Sequence, residues 1–246
     1  MSPAADFKFK RAQDEALDTS IVQSVTNVEV SLRTRFAYKE KFLYGEFTRV
    51  SLGSRYPVID LEYGFGVKGL LGSQYNYHRA KISLSNKFLL GVFGHLRTRV
   101  EAGKYWGELP YPFLKVHAGN ETFFSSEAAF NLMNFYEFVS DQYAIGWLEY
   151  HMEGLLLNRI PLLRKLKWRE VMGIRSVVGS LSGSNREEML LPDDSYSLNR
   201  GPYTEVNAGI ENIFKFFRVE CLWRLNYRDH NNISNFGVRM RVAVQF

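Results

Sequence analysis

A strict two-residue alternation near the end of the chain constrains the fold more than any other feature. From Phe236 to Phe246, apolar side chains alternate with polar ones, and Arg239 and Arg241 lie among the polar set. Successive side chains of a β-strand point to opposite faces, so this segment predicts a strand with one apolar and one charged face. The preceding run, 218–228, alternates in the same way.

The same alternation recurs upstream. It predicts strands at 28–38, 77–88, 91–103, 141–156 and 203–213, with weaker candidates at 43–53, 56–66 and 168–180. Together with the two runs 218–228 and 236–246, these segments make about ten strands. Most have the roughly ten residues that a tilted strand needs to cross a bilayer. Strands of soluble sandwiches usually have about five or six residues.

Ionisable residues occupy consecutive positions on one face of these strands. A dry core could not hold them, because each unpaired buried charge costs several kcal/mol, whereas a water-filled or plugged lumen could. We therefore predict an antiparallel, up-and-down transmembrane β-barrel, complete or part of a larger one. The predicted lumen-lining residues are Arg33, Arg35, Arg97, Arg99, Glu101, Glu149, His151, Glu153, Glu220, Arg224, Arg239 and Arg241.

The lengths of the connections support this interpretation. Outer-membrane barrels have long extracellular loops and short periplasmic turns. Counted back from a periplasmic C-terminus, the long links all fall outside: 67–76, 104–140, 181–202 and 229–235. Two links depart from the rule, because 157–167 is long on the inner side and 39–42 is short on the outer side.

Two connections have further predicted structure. The 104–140 link carries Trp106, two prolines and a cluster of aromatic residues, so we expect it to fold over or into the barrel mouth as a plug. Residues 158–167 combine Pro161, spaced leucines and several cations, which favours a short amphipathic helical turn at the membrane rim.

Composition narrows the remaining classes. The hydrophobic content of 46% and aromatic content of 15% suit a barrel with aromatic girdles or an all-β core. The net charge of +5 is scattered among acidic neighbours, so no nucleic-acid patch is predicted. No run of about 18 apolar residues offers a transmembrane helix. The predicted barrel domain is 25–246, and residues 1–24, a lead-in on the periplasmic side, lack a signal peptide's apolar core, which we expect upstream.

Candidate chemistry is sparse. The single Cys221 excludes an intrachain disulfide and a cysteine zinc site, and the five histidines show no ligand spacing, so no metal or cofactor is predicted. The column Glu149, His151 and Glu153 could orient an imidazole for base catalysis, with Ser140-Asp141 at the start of the same strand. No pattern marks a nucleophilic serine. The alternative is a lumenal column that pairs with Arg97, Arg99 or Arg224, and we expect no enzyme activity.

Phe246 ends its alternating strand in the manner of the signal by which bacterial outer-membrane proteins are recognised for assembly. Several segments also resemble the C-terminal barrel of large Bacteroidota outer-membrane proteins: Ala118–Thr122, Ala129–Met133, Glu137–Asp141, Arg159–Leu163, Leu166–Glu170 and Gly209–Phe214. The resemblance runs from about residue 25 to the end. Members of that family carry an N-terminal carboxypeptidase-regulatory-like domain and a barrel of unknown function, similar in layout to the Omp85-type surface antigens.

The resemblance implies a location in the outer membrane of a Gram-negative cell. The implied partners are the lipid bilayer and, during biogenesis, the outer-membrane assembly machinery. We expect a structural scaffold or conduit with a polar, charged lumen. The alternatives are an Omp85-like assembly or translocation factor, a barrel hydrolase that uses His151, and a soluble ligand-binding β-barrel.

Overall fold

Nine strands form one antiparallel sheet in which each strand pairs with its neighbours in sequence. A computed structural model describes residues 9–11, 20–22, 24–46, 48–188, 191–192 and 194–242. The strands of the sheet are β1 (Glu29–Ala37), β2 (Val58–Gly66), β3 (Tyr77–Leu89), β4 (His95–Trp106), β5 (Gln142–His151), β6 (Arg169–Ser180), β7 (Tyr203–Ile213), β8 (Phe217–Arg224) and β9 (Phe236–Val242). The predicted all-β, up-and-down fold is therefore confirmed.

The sheet has two edges, β1 and β9, and no pairing joins these strands within the described residues. Part of the outer edge of β9 is instead used by the long link before β5. The N–H of Ser125 donates to the carbonyl of Met240 at 2.9 Å, and the N–H of Met240 donates to the carbonyl of Phe123 at 3.2 Å. The two segments run parallel at this point.

The prediction of ten strands is corrected to nine. The weak candidate 43–53 folds back on itself, so Lys41–Tyr44 and Arg49–Gly53 form a separate hairpin. The turn is closed by a hydrogen bond from the N–H of Gly45 to the carbonyl of Thr48. β1 consequently pairs directly with β2. With one strand fewer, the whole 38–57 link lies at the same end of the sheet as 90–94 and 214–216, so the placement of 39–42 at the opposite end was wrong.

The two ends of the sheet differ in their connections. One end, here called the insertion end, carries the links 67–76, 107–141, 181–202 and 225–235. The other, the turn end, carries 38–57, 90–94, 152–168 and 214–216. The segment 107–141, here called the insertion, is the longest link and packs against one face of the sheet.

The face away from the insertion, here called the apolar face, bears large apolar side chains that lie exposed. Leu32 is 70% exposed, and Leu84, Val100, Ile174 and Val238 are each at least 40% exposed. Across the nine strands, His78, Lys104 and Glu170 are the acidic or basic residues whose position in the alternation assigns them to this face, and all three lie near strand ends. The opposite face, here called the charged face, carries the ionisable residues. The polarity of an ordinary soluble sheet is thus reversed.

The apolar core lies between the charged face and the insertion, towards the insertion end. Phe130, Met133 and Phe138 of the insertion pack with Tyr143, Ile145, Val177 and Tyr203 of the sheet. A second cluster joins Tyr77 and Val139 to Leu109, Tyr111 and Leu114. The expectation that the 104–140 link folds onto other structure, rather than remaining solvated, agrees with this packing.

Two short helices lie in the links. α1 (Pro161–Leu166) has proline at its first position and leaves Leu162 exposed, as expected for an amphipathic turn. α2 (Gly183–Glu188) follows β6. Among the described residues, no helix has both the length and the apolar character needed to span a membrane. Two further strand pairs lie outside the sheet: Phe9–Arg11 with Ser20–Val22, and Lys115–Val116 with Val139–Ser140.

Candidate functional site

The insertion is held by a buried carboxylate of β7. Glu205 accepts hydrogen bonds from the backbone N–H groups of Asn131 and Leu132 at 2.8 and 2.7 Å, and from the hydroxyl of Tyr203 at 2.5 Å. Alternation along β7 directs this side chain towards the charged face, where only 1% of its surface is exposed. A sheet carboxylate thereby satisfies two backbone donors of a segment that has no regular ladder there.

A buried guanidinium of β6 plays the complementary part. Arg175 lies directly opposite Glu205 in the strand register, yet its Nη1 donates to the carbonyl oxygens of Ser126 and Ala129. Glu205 therefore binds hydrogen-bond donors of the insertion, whereas Arg175 binds hydrogen-bond acceptors of the same segment. No carboxylate lies within 4.0 Å of the Arg175 guanidinium in the described part of the chain.

A second anchor fixes the end of the insertion to β8. The guanidinium of Arg224 binds both carboxylate oxygens of Glu137, at 3.0 and 2.5 Å, and His230 contacts the same carboxylate at 2.8 Å. Arg224 also donates to the carbonyl of Tyr227 and stacks over the ring of Tyr203. Such a bidentate pair is both strong and directional.

The turn end of the charged face holds a continuous ionic network. Arg218 is fully buried and donates to Glu149 at 2.8 Å and to Glu220 at 2.6 Å. The other oxygen of Glu149 lies 2.8 Å from Nε2 of His151, whose Nδ1 lies 3.0 Å from Glu211. His95 stacks on His151 with ring centroids 4.4 Å apart, and Glu153 bridges His95 to Arg169.

The predicted lumen residues differ in how deeply the structure places them. Glu101, Glu149, His151, Glu220 and Arg224 are in contact with ionic partners on the charged face, and all but Glu149 are fully buried. Arg239 and Arg241 are half-buried there, with Arg241 2.8 Å from Glu127. Arg33, Arg35, Arg97 and Arg99 share the face but are exposed, and Glu153 lies in the turn after β5 with a φ of 53°. Phe246 lies outside the described residues.

The partners predicted for the Glu149, His151 and Glu153 column were wrong. Glu149 pairs with Arg218 and not with Arg97, Arg99 or Arg224, and Glu153 pairs with Arg169. Arg175, Glu205 and Arg218 were absent from the predicted set, although each lies at a charged-face position of its strand. The alternation itself was the signal that could have found them.

The candidate catalytic groups are not brought together. Ser140 binds Nε2 of His117 at 3.0 Å, whereas Asp141 accepts from Ser182 and Asn185. Nδ1 of His117 has no hydrogen-bond partner among the described residues, and none of their acids orients this imidazole as a triad requires. Both nitrogens of His151 are occupied by carboxylates. Within the described ranges, no three His, Cys, Asp or Glu side chains are arranged to hold a metal ion.

Two groups outside the strands have displaced pKa values. Burial, assisted by the ammonium of Lys115, lowers the pKa of His117 to about 3. Hydrogen bonds from Arg200 lower the pKa of the exposed Asp229 to about 2. His117 is therefore neutral and Asp229 ionised at neutral pH.

The fold and the site define an up-and-down antiparallel β-protein with an insertion docked on its charged face. Residues 3–187 match a family of unknown function (DUF5686), in its C-terminal domain. Because the match covers well over half of the chain, the chain belongs to this family, and the predicted domain of unknown function is confirmed. No protein in the curated set matches it.

Proposed function

We propose that this chain forms part of an integral outer-membrane β-barrel that acts as a scaffold or conduit, with the charged face lining its interior. The observation that carries the proposal is the reversed polarity of the sheet. Its exposed face is apolar over all nine strands, while the acids and bases lie mainly on the opposite, charged face. In water this arrangement would expose a very large contiguous apolar patch, which soluble monomers rarely do.

The dimensions of the strands support the same assignment. β3, β4 and β6 have 13, 12 and 12 residues, and β5 and β7 have 10 and 11. A tilted strand crosses a bilayer with about 9–11 residues. At the turn end, exposed Leu162, Leu166 and Phe214 lie in the same links as Arg164, Lys165 and Lys215. Apolar residues beside cations suit the boundary between acyl chains and headgroups.

The resemblance of the sequence supports the finer part of the proposal. It suggests a Bacteroidota outer membrane, an upstream carboxypeptidase-regulatory-like domain and delivery by the assembly machinery through the Phe246 signal. The interior is polar and obstructed by the insertion, so a scaffold or a gated conduit fits better than an open pore.

Lipid contact is testable with two tryptophans that differ in the face they occupy. Trp223 lies on the apolar face and Trp147 on the charged face. In brominated phospholipid vesicles, a variant that keeps only Trp223 should lose most of its fluorescence, whereas one that keeps only Trp147 should lose little. Equal quenching of both, or of neither, would remove the proposal.

An Omp85-like assembly or translocation factor is the second candidate, and the state of the two sheet edges favours it. β9 donates one hydrogen bond to the insertion and accepts one from it, and β1 has no partner on its outer side within the described residues. Exposed strand edges recruit further strands. A photocrosslinker at Ser31 of β1 should then capture unfolded outer-membrane proteins in cells, while one at Ser85 of β3 should not.

A further inference from the structure

A cavity of about 360 Å³ lies on the charged face between the sheet and the insertion. Its walls include residues of β1 to β7, the 53–58 segment and Glu127 of the insertion. Five cations line it, namely Arg35, Lys87, Arg97, Arg99 and Arg175, against two acids, Glu127 and Glu149. The volume falls within the range of about 300–1,000 Å³ that is usual for small-molecule sites.

The strand register places like charges side by side in this cavity. Lys87 of β3 lies directly opposite Arg97 of β4, a cross-strand arrangement that destabilises a sheet. Arg97 in turn lies opposite Glu149, but both oxygens of that carboxylate are taken by His151 and Arg218. The closest acid to Arg97 is Glu127, at 3.9 Å. Lys87 forms no ion pair with any described residue.

Of the three remaining cations, Arg35 is already paired with Glu40 at 2.8 Å and with Asp60 at 3.7 Å. Arg175 donates to carbonyl oxygens and not to a carboxylate, although Glu205 lies opposite it in the strand register. Arg99 meets Glu101 at 3.1 Å and lies over the ring of Trp147 at 5.1 Å. Glu101 also accepts hydrogen bonds from Lys115 and Tyr143, through the oxygen that does not contact Arg99. The guanidiniums of Arg97 and Arg99 are about half exposed and therefore accessible.

We propose that this cavity binds a small soluble polyanion, carrying phosphate or carboxylate groups, between Lys87, Arg97 and Arg99. Guanidinium groups bind such oxyanions through paired, charge-assisted hydrogen bonds. An anionic lipid fits less well, because its acyl chains belong on the apolar face. As the solute site of the conduit, the cavity depends on the proposed function for its place in the membrane, but anion binding itself is measured separately.

The test is equilibrium dialysis of the full chain, in an uncharged detergent at low salt, against labelled pyrophosphate. Saturable binding of one equivalent is expected, and it should weaken as salt screens the charges. The substitution Arg97→Gln/Arg99→Gln should reduce affinity roughly tenfold or more, since charge-assisted hydrogen bonds are the strong ones. Lys87→Gln, a milder change at an exposed site, should reduce it by roughly threefold.

Arg33→Gln is the matched control. Arg33 is an exposed arginine on the same face, but it pairs with Asp60 and does not line the cavity. Its substitution should change affinity less than about twofold. No saturable binding by the wild-type chain, or equal losses in Arg33→Gln and the double variant, would overturn the proposal. Partition into membranes is measured on the same preparation. It distinguishes failure of the anion-binding proposal from failure of the proposed membrane location.

Discussion

At the scale of single residues, the insertion depends on charges whose main ligands are backbone groups. Glu205 receives two N–H groups and Arg175 supplies donors to two carbonyls of the same segment. Residues 126–132 of the insertion belong to no strand, so these side chains replace the hydrogen bonds that regular structure would provide. Charge-assisted hydrogen bonds of this kind are short and strong.

Glu205→Gln tests this role. The amide keeps the shape but has a single oxygen acceptor, so one N–H of the insertion loses its partner, at a cost of about 1–3 kcal/mol. Limited proteolysis should cut the variant faster within 107–141, and its denaturant midpoint should fall. Glu127→Gln changes an exposed acid that contacts Arg241 and is the control, with an expected loss of about 0–1 kcal/mol. Unchanged cleavage in Glu205→Gln would contradict the anchoring role.

The lowered pKa of His117 predicts that the free energy of unfolding depends on pH. Its folded pKa of about 3 lies below the unfolded value of about 6.5, so the unfolded chain binds more protons between these limits. The contribution to stability is complete above pH 6.5 and falls below it, by up to about 1.4 kcal/mol per pH unit. The unfolding free energy of His117→Gln, measured between pH 5 and 6.5, should therefore vary less steeply than that of the wild type. Parallel slopes would count against this assignment.

At the scale of elements, each strand has two faces that meet different surroundings. Leu84 lies near the middle of β3 on the apolar face, and Val92 lies in the turn end link that follows. Both are exposed, so in a soluble protein either change to arginine would be nearly neutral. In a bilayer the two substitutions should differ, because Leu84 would lie deeper in the membrane than Val92.

Leu84→Arg should destabilise the folded protein in vesicles by about 2–4 kcal/mol, and Val92→Arg by about 0–1 kcal/mol, because the cost of a cation falls towards the interface. Equilibrium unfolding in denaturant, monitored by tryptophan fluorescence, gives both values. Two small and equal effects would place the apolar face in water or against protein.

The end of α1 offers a change in the opposite direction. Lys167 caps this helix in the left-handed region, with φ 54° and ψ 28°. This conformation costs non-glycine residues about 1–2 kcal/mol, whereas glycine adopts it freely. Lys167→Gly should raise the unfolding free energy by roughly 0.5–1 kcal/mol after its greater chain entropy is counted. Arg164→Gly, inside the helix, should lower it by a similar amount; a stabilised Arg164→Gly would contradict this account.

The sequence was informative about elements because alternation is a local property. Val238, Met240 and Val242 show their shared face without any knowledge of neighbouring strands. It failed at 43–53, where the turn after Tyr44 interrupts a run that looks continuous. It also failed for the ion pairs. Glu149 of β5 contacts Arg218 of β8, a residue 69 positions away, and the pairing of four consecutive strands brings the two together. Alternation identifies a face but does not identify partners across it.

At the scale of the whole molecule, the polarity of the two faces is the reverse of that in a soluble sheet. The apolar face is exposed, and the insertion packs on the charged face. The buried space between sheet and insertion is apolar at the insertion end and ionic at the turn end. A soluble protein would hide the valines and leucines that this sheet exposes. If the sheet forms the proposed barrel, the insertion covers part of the charged face, and passage of solute would require the insertion to move.

Movement of the insertion can be provoked without leaving a charge unpaired. Arg175→Gln/Glu205→Gln removes an acid and a base that lie opposite each other, so it avoids the large penalty of a single buried charge. In planar bilayers the wild-type protein should be nearly silent, whereas the double variant should show intermittent conductance steps. Glu127→Gln should remain silent and serves as the control. A double variant whose insertion becomes protease-sensitive but which still conducts nothing would rule out the conduit and leave the scaffold, because the obstruction would then lie in the sheet itself.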